Sequence, residues 1–357
     1  MSTTEPPIDA PGEQGVRAGP ASILSSIGGA VVGFVLVASW GLSATPPPED
    51  FPITTKLQHL EEHIGEYDTL FVGRSHIFRS FIPEIIDGEL SQLGVDMSSF
   101  NLGGPGMPDV EIDYVLRRVL AMDGQNLRTL FIEAPDWVRQ IKDNAFTNRS
   151  IAWHTARQTG TVFRTLAMQD LPLQDRFLKM WDHLRMFGQR LTAFGQGRRI
   201  FDDLQGLVED QPLSLEDVSR DCGYQALDNL DDPSILKRRE GFLKRRGGYR
   251  NRLDFLAKGN TADYNLERYN EDALASQMAL VRAAGARLIY IVPPGMDPTP
   301  HAHALREAGL IPDLMTFNDP RQQAFIYQFD LRFDGHLNRA GAEEFSRIFA
   351  RAFSRFE

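Results

Sequence analysis

Two short stretches carry the residue types of nucleophilic catalysis. In "VGRSHIF", residues 72–78, Ser75 follows Gly73 and Arg74 at the end of an apolar run. In "FDGHLN", residues 333–338, His336 stands two places after Asp334 and just ahead of a helical pattern. A serine hydroxyl is a weak nucleophile and needs a base within hydrogen-bond reach. The usual base is histidine, oriented by a carboxylate. The chain has eight histidines. His59 and His63 fall near the N-terminus, His154 and His183 in a long helical stretch, and His301 and His303 in a proline-rich loop. The His76 side chain should diverge from its neighbour Ser75, which leaves His336. An Asp-x-His on a loop can put both side chains on one side, so that the carboxylate fixes the imidazole tautomer. Alone, Ser75 also fits a helix N-cap and His336 a helix-entry residue. Together, on loops that one fold brings to one edge, they point to chemistry.

Such chemistry also needs donors for an oxyanion. "NLGGPGMP", residues 101–108, has glycines that let backbone approach a ligand closely, and the Gly106 amide could point into a site. The amide of Ser75, at a helix start, is the natural second donor. A glycine-rich turn without a chemical role is the plainer alternative.

These residues must hang on a scaffold. Buried-strand candidates run over 68–72, 97–102, 128–134, 287–292 and 314–317. Helical patterns run over 78–93, 110–122 (with Asp109 as N-cap), 269–284 and 339–356. The alternation predicts an α/β fold, a parallel sheet covered on both faces. In such sheets ligands bind beyond the carboxyl ends of the strands, where Ser75 would stand.

Residues 137–267 interrupt the alternation and show helical spacing without a convincing strand, so a helical insertion is expected. Inside it, residues 237–252 hold about eight basic residues against one acidic. Two readings stand: a solvated helix face, or a patch for an anionic polymer or lipid headgroups. His301 and His303 have the spacing of a His-x-His metal pair, but no carboxylate cluster accompanies them in sequence. The loop 295–309 that carries them could hang over the site or lie far from it.

The net charge of −10 argues against nucleic acid as the main partner. The single cysteine, Cys222, excludes an internal disulfide and a cysteine-based zinc site. Residues 1–20 read as a disordered tail. Residues 21–44 are apolar or small, long enough to cross a bilayer, with Trp40 near one end. An uncleaved anchor is expected, with a cleaved signal peptide and an apolar helix of a cytosolic protein as alternatives. Residues 45–66 read as a stalk.

"DTLFVGRSHIFRSFIP", "FNLGGPGM" and "FDGHLNRAGAEEF" resemble blocks one, two and five of the SGNH/GDSL-type hydrolases. More closely, they resemble the membrane-anchored extracytoplasmic SGNH-like proteins of cell-surface polymer O-acylation, deacylation or D-alanylation. The resemblance covers about residues 67–136 and 270–356. It implies a three-layer, flavodoxin-like SGNH domain over 67–357. It implies Ser75 as nucleophile, His336 as base, Asp334 as its orienter, and Gly106 with Ser75 as the oxyanion hole. Arg74 and Asn101 would lie close enough to meet substrate. It implies no metal and no organic cofactor. The substrate would be an acylated cell-surface polysaccharide or another acyl ester. A multi-pass acyltransferase or export protein would be the membrane partner. The location would be the bacterial inner membrane, single-pass, with a periplasmic domain. The first block departs from the pattern as Gly-Arg-Ser rather than Gly-Asp-Ser. In the third, "EAPDW", residues 133–137, stands where an oxyanion-donating asparagine belongs. That second departure keeps another reading open, a catalytically silent SGNH-fold scaffold in a membrane complex.

Overall fold

The computed structural model describes residues 52–137, 147–192 and 213–356, and part of 25–37. Five parallel strands form one sheet: β1 (Thr69–Gly73), β2 (Ser99–Gly103), β3 (Thr129–Glu133), β4 (Arg287–Val292) and β5 (Leu314–Thr316). Their order is β2-β1-β3-β4-β5, with Phe71 level with Asn101 on one side and Phe131 on the other. All five expected strands are present, each displaced by at most two residues at an end. In this order the chain switches direction across the sheet between β1 and β3, which opens a crevice at their carboxyl ends.

Side chains alternate between the faces of the sheet. Leu70 and Val72 enter one apolar cluster, and Phe71 enters the other. The first cluster is roofed by α1 (Pro52–His63), the second by α2 (Ser75–Ser80) and α3 (Pro83–Gln92). The first face also takes α4 (Asp109–Leu120). Between β3 and β4 come α5 (Asn148–Trp153), α6 (Ala156–Met168), α7 (Leu173–Thr192), α8 (Leu215–Arg220), α9 (Pro233–Lys244) and α10 (Tyr249–Asn260). No strand occurs among the described residues of this insertion. Then α11 (Glu271–Ala283) and α12 (Pro300–Glu307) return to the first face, and α13 (Arg339–Phe353) closes the second. There Phe349 packs edge-on against Phe71, Phe81 and Phe131.

The structure corrects three expectations. Residues 52–66 belong to the domain rather than to a stalk. Ile53, Leu57, Leu60 and Ile64 are buried, and Lys56, with no exposed surface, donates to the carbonyls of Asn101 (2.8 Å) and Gly103 (2.6 Å). Its Nζ also lies 3.8 Å from the centroid of the Phe78 ring. The helix expected over 78–93 is two helices, because Ile82 precedes Pro83 and is held extended (ψ 102°). Asp109 is the first residue of α4, and Pro108 occupies the cap position. Among the described residues no helix is long and apolar enough to cross a membrane. The expected tail and most of the expected span, 1–20 and 21–44, lie outside the described residues.

Candidate active site

The last position of β1 must be glycine, because Glu133 of β3 and Ile77 press against it. A β-carbon there would stand 2.7 Å from the Cβ of Glu133 and 2.5 Å from Ile77. Arg74 is extended (ψ −164°), and Ser75 opens α2. The amide of Ser75 is one of the N–H groups that a helix leaves without an intrahelical acceptor.

His336 reaches the same edge from a compact turn. Phe333 donates to the His336 carbonyl (3.0 Å), and Asn338 donates to the Leu331 carbonyl (3.1 Å). The Asn338 side chain then accepts from Gly341 (2.9 Å) and caps α13. Asp334 Oδ1 accepts both the His336 amide and His336 Nδ1, each at 2.8 Å. His336 Nε2 stands 2.9 Å from Ser75 Oγ. An ionised carboxylate only accepts, so Nδ1 carries the proton and Nε2 is left to take one from serine. Burial works to raise the Asp334 pKa. The hydrogen bonds and charge of His336, with the Arg238 guanidinium 3.5 Å away, outweigh it and hold the carboxyl well below the usual range. The three residues singled out from the sequence therefore meet, 261 positions apart.

Arg74 is fully engaged. Its amide donates to Glu133 Oε2 (2.6 Å), and its guanidinium to Glu133 Oε1 (3.2 Å) and Asp109 Oδ1 (2.6 Å). Its charge is shared by two carboxylates. Burial lifts Asp109 to about 6 against the pull of Arg74. Asn101 does not face substrate. It has no exposed surface, and its amide donates to the carbonyls of Ile77 (3.0 Å) and Phe81 (2.7 Å), which ties β2 to α2. Gly106 adopts a left-handed conformation (φ 59°), open to glycine at little cost, and lines the same cleft as Ser75.

That cleft holds about 410 Å³. One wall is the loop after β4, including Pro293, Gly295 and Thr299, so the first part of the expected loop 295–309 borders the cleft of the serine, while its second part is helix α12. His301 lies buried in the cleft, 3.3 Å from the Ala134 carbonyl, and burial lowers its pKa. No cluster suited to a metal occurs among the described residues. Where the resemblance expects an asparagine after β3, the chain offers Ala134 and Asp136. Asp136 Oδ1 accepts the Tyr264 hydroxyl (2.7 Å).

Sequence reasoning gave the insertion a place beside this site but named none of the residues that reach it. Tyr264 lines the cleft from it. Asn260 Oδ1 accepts the Thr299 amide (2.9 Å) and so holds the cleft loop. Several arginines of the basic run face the base loop or the loop after β4. Arg239 donates to the carbonyls of Arg332 and Phe333, Arg246 pairs with Asp330, and Arg252 with Asp297. Arg332 itself has no exposed surface and donates to the carbonyls of Pro294 (3.1 Å) and Gly335 (2.8 Å), joining cleft loop to base loop. Charge density alone revealed the run but not its partners, which lie between 45 and 94 residues away. No family model matches the chain, and no curated protein matches it.

Proposed function

We propose that the chain is an SGNH-type serine esterase or O-acyltransferase acting on acyl esters of an extracytoplasmic glycan. The observation that carries this reading is the continuous chain Ser75 Oγ–His336 Nε2 (2.9 Å) and His336 Nδ1–Asp334 Oδ1 (2.8 Å) at the rim of a cleft. Ser75 Oγ attacks the ester carbonyl carbon while its proton passes to His336 Nε2. Asp334 stabilises the imidazolium that forms. The oxyanion is met by the amides of Ser75 and Gly106. Collapse breaks the ester C–O bond, and the leaving alcohol takes the proton from Nε2. Water or a sugar hydroxyl then attacks the acyl-serine with the same base, giving hydrolysis or transfer. The membrane and periplasmic assignment rests on the apolar sequence 21–44 alone.

One observation favours a second reading, a silent scaffold. The end of β3 supplies no amide side chain as an oxyanion donor. Labelling of the full-length protein with a fluorophosphonate separates the two. Wild type should label, and Ser75→Ala and His336→Ala should lose at least about a thousandfold in rate. A folded wild type that neither labels nor cleaves a small acetyl ester would leave the scaffold standing.

A further inference from the structure

His76 follows the nucleophile in sequence, and its ring turns away from Ser75 onto the base. The His76 and His336 rings are stacked, with centroids 4.6 Å apart and planes 29° apart. His76 Nδ1 is buried without a hydrogen-bond partner among the described residues. The ring edge lies against Gly295, where a β-carbon would come within 3.2 Å of Nε2. Among the described residues no hydrogen bond to Nδ1 fixes the ring in its own plane, so stacking and close packing hold it.

We propose that His76 is a positioning residue for the base, covering one face of the His336 ring and stabilising the imidazolium that forms when Ser75 loses its proton. The inference rests on the triad reading above. An aromatic face attracts a cation stacked on it, and more so away from water. It also fixes the plane of His336, which must serve Asp334 through one nitrogen and Ser75 through the other. A second positive charge at His76 would cancel the benefit. Burial holds its pKa well below the ordinary value, and His336, Arg332 and Arg74 lower it further against the opposing pull of Asp334. The ring is therefore neutral when its neighbour becomes charged.

The test is the rate of fluorophosphonate inactivation of full-length protein followed across about pH 5 to 9, whose acid limb reports the free base. His76→Phe keeps the ring face and should stay within about threefold of wild type with the same acid limb. His76→Leu fills the space without an aromatic face, and His76→Ala removes both. Each should slow inactivation about tenfold and move the acid limb down by about half a pH unit, because His336 becomes harder to protonate. If the alanine variant does not fold, the leucine variant gives the reading. The idea fails if the leucine variant keeps the wild-type acid limb. It also fails if the phenylalanine variant is as slow as leucine while melting at the wild-type temperature. A wild type that does not label overturns the triad itself, an outcome distinct from either of these.

Discussion

In the core, Phe71 and Phe131 of the sheet and Phe349 of α13 expose no surface, whereas α9 of the insertion buries no residue and α7 leaves Leu173, Phe177 and Trp181 more than half exposed. The core holds its parts by buried area, which is non-directional and tolerates no gap. Trp153, Val162, Leu166, Val218 and Leu256 carry parts of the insertion into the apolar clusters, but α9 and the two ends of α10 meet the core through directed polar contacts. These are Arg239 on two carbonyls, Tyr249 on the Tyr327 carbonyl (2.9 Å) and Asn260 on Asn318 (2.9 Å). The nucleophile hangs on the first kind of structure. The base loop combines the two, since Phe333 and Leu337 are buried while Arg239 and Arg332 hold its carbonyls, and the loop after β4 is tied down by Asn260 and Arg332.

Three changes would break or sharpen this contrast. The largest effect is expected in the core. Phe349→Ala should cost about 3–5 kcal/mol in urea unfolding, while Phe177→Ala in α7 should change stability by less than about 0.5 kcal/mol. Equal losses would erase the distinction.

Next comes an acid dependence seated in the insertion. His154 and His183 are buried, with Nε2 of one 2.9 Å from Nδ1 of the other. Burial lowers each to about 4. The unfolded chain binds these protons near pH 6.5 and the folded one only near 4, so the folded state holds fewer between those values. Stability from this pair is present above about pH 6.5 and is lost as pH falls towards 4, by about 3 kcal/mol for each ring that takes its proton. His183→Phe should flatten that slope in denaturation curves taken at several pH values. An unchanged slope would place the acid sensitivity elsewhere.

The smallest effect concerns the join. Arg239→Met should slow fluorophosphonate labelling about tenfold through the loosened base loop, with less than about 1 kcal/mol lost in stability. A variant that loses stability but labels at the wild-type rate would make Arg239 a brace of the fold alone.

Strands β1, β3 and β4 were legible because each holds a short apolar run closed by turn residues, as Leu70–Val72 is by Gly73 and Leu288–Val292 by Pro293, whereas β2 was read mainly from the glycines that follow it. Ser75 and His336 were legible because few histidines compete and the α/β alternation brings their loops to one edge. The roles of Arg74 and Asn101 were not. A guanidinium beside a nucleophile and an asparagine beside glycines look like substrate contacts until Glu133, Asp109 and the Ile77 carbonyl are found beside them. The break at Pro83 and the apolar spacing of Ile53, Leu57, Leu60 and Ile64 were both present in the sequence, and both yield to known rules. The pairing of Arg239 with residues 332 and 333 leaves no local trace, since a carbonyl has no sequence identity.

Lys56 adds a consequence of another kind. Its amine is sealed under Phe78 and the end of β2, and burial, then the charge of Arg79, lowers its affinity for a proton. An unprotonated amine is the reactive form towards acylating reagents, yet none can reach it while that edge is closed. Its modification is therefore governed by how often the N-terminal helix lifts from the sheet. The folded protein thus carries its own clock for the opening of the strand that leads to Gly106.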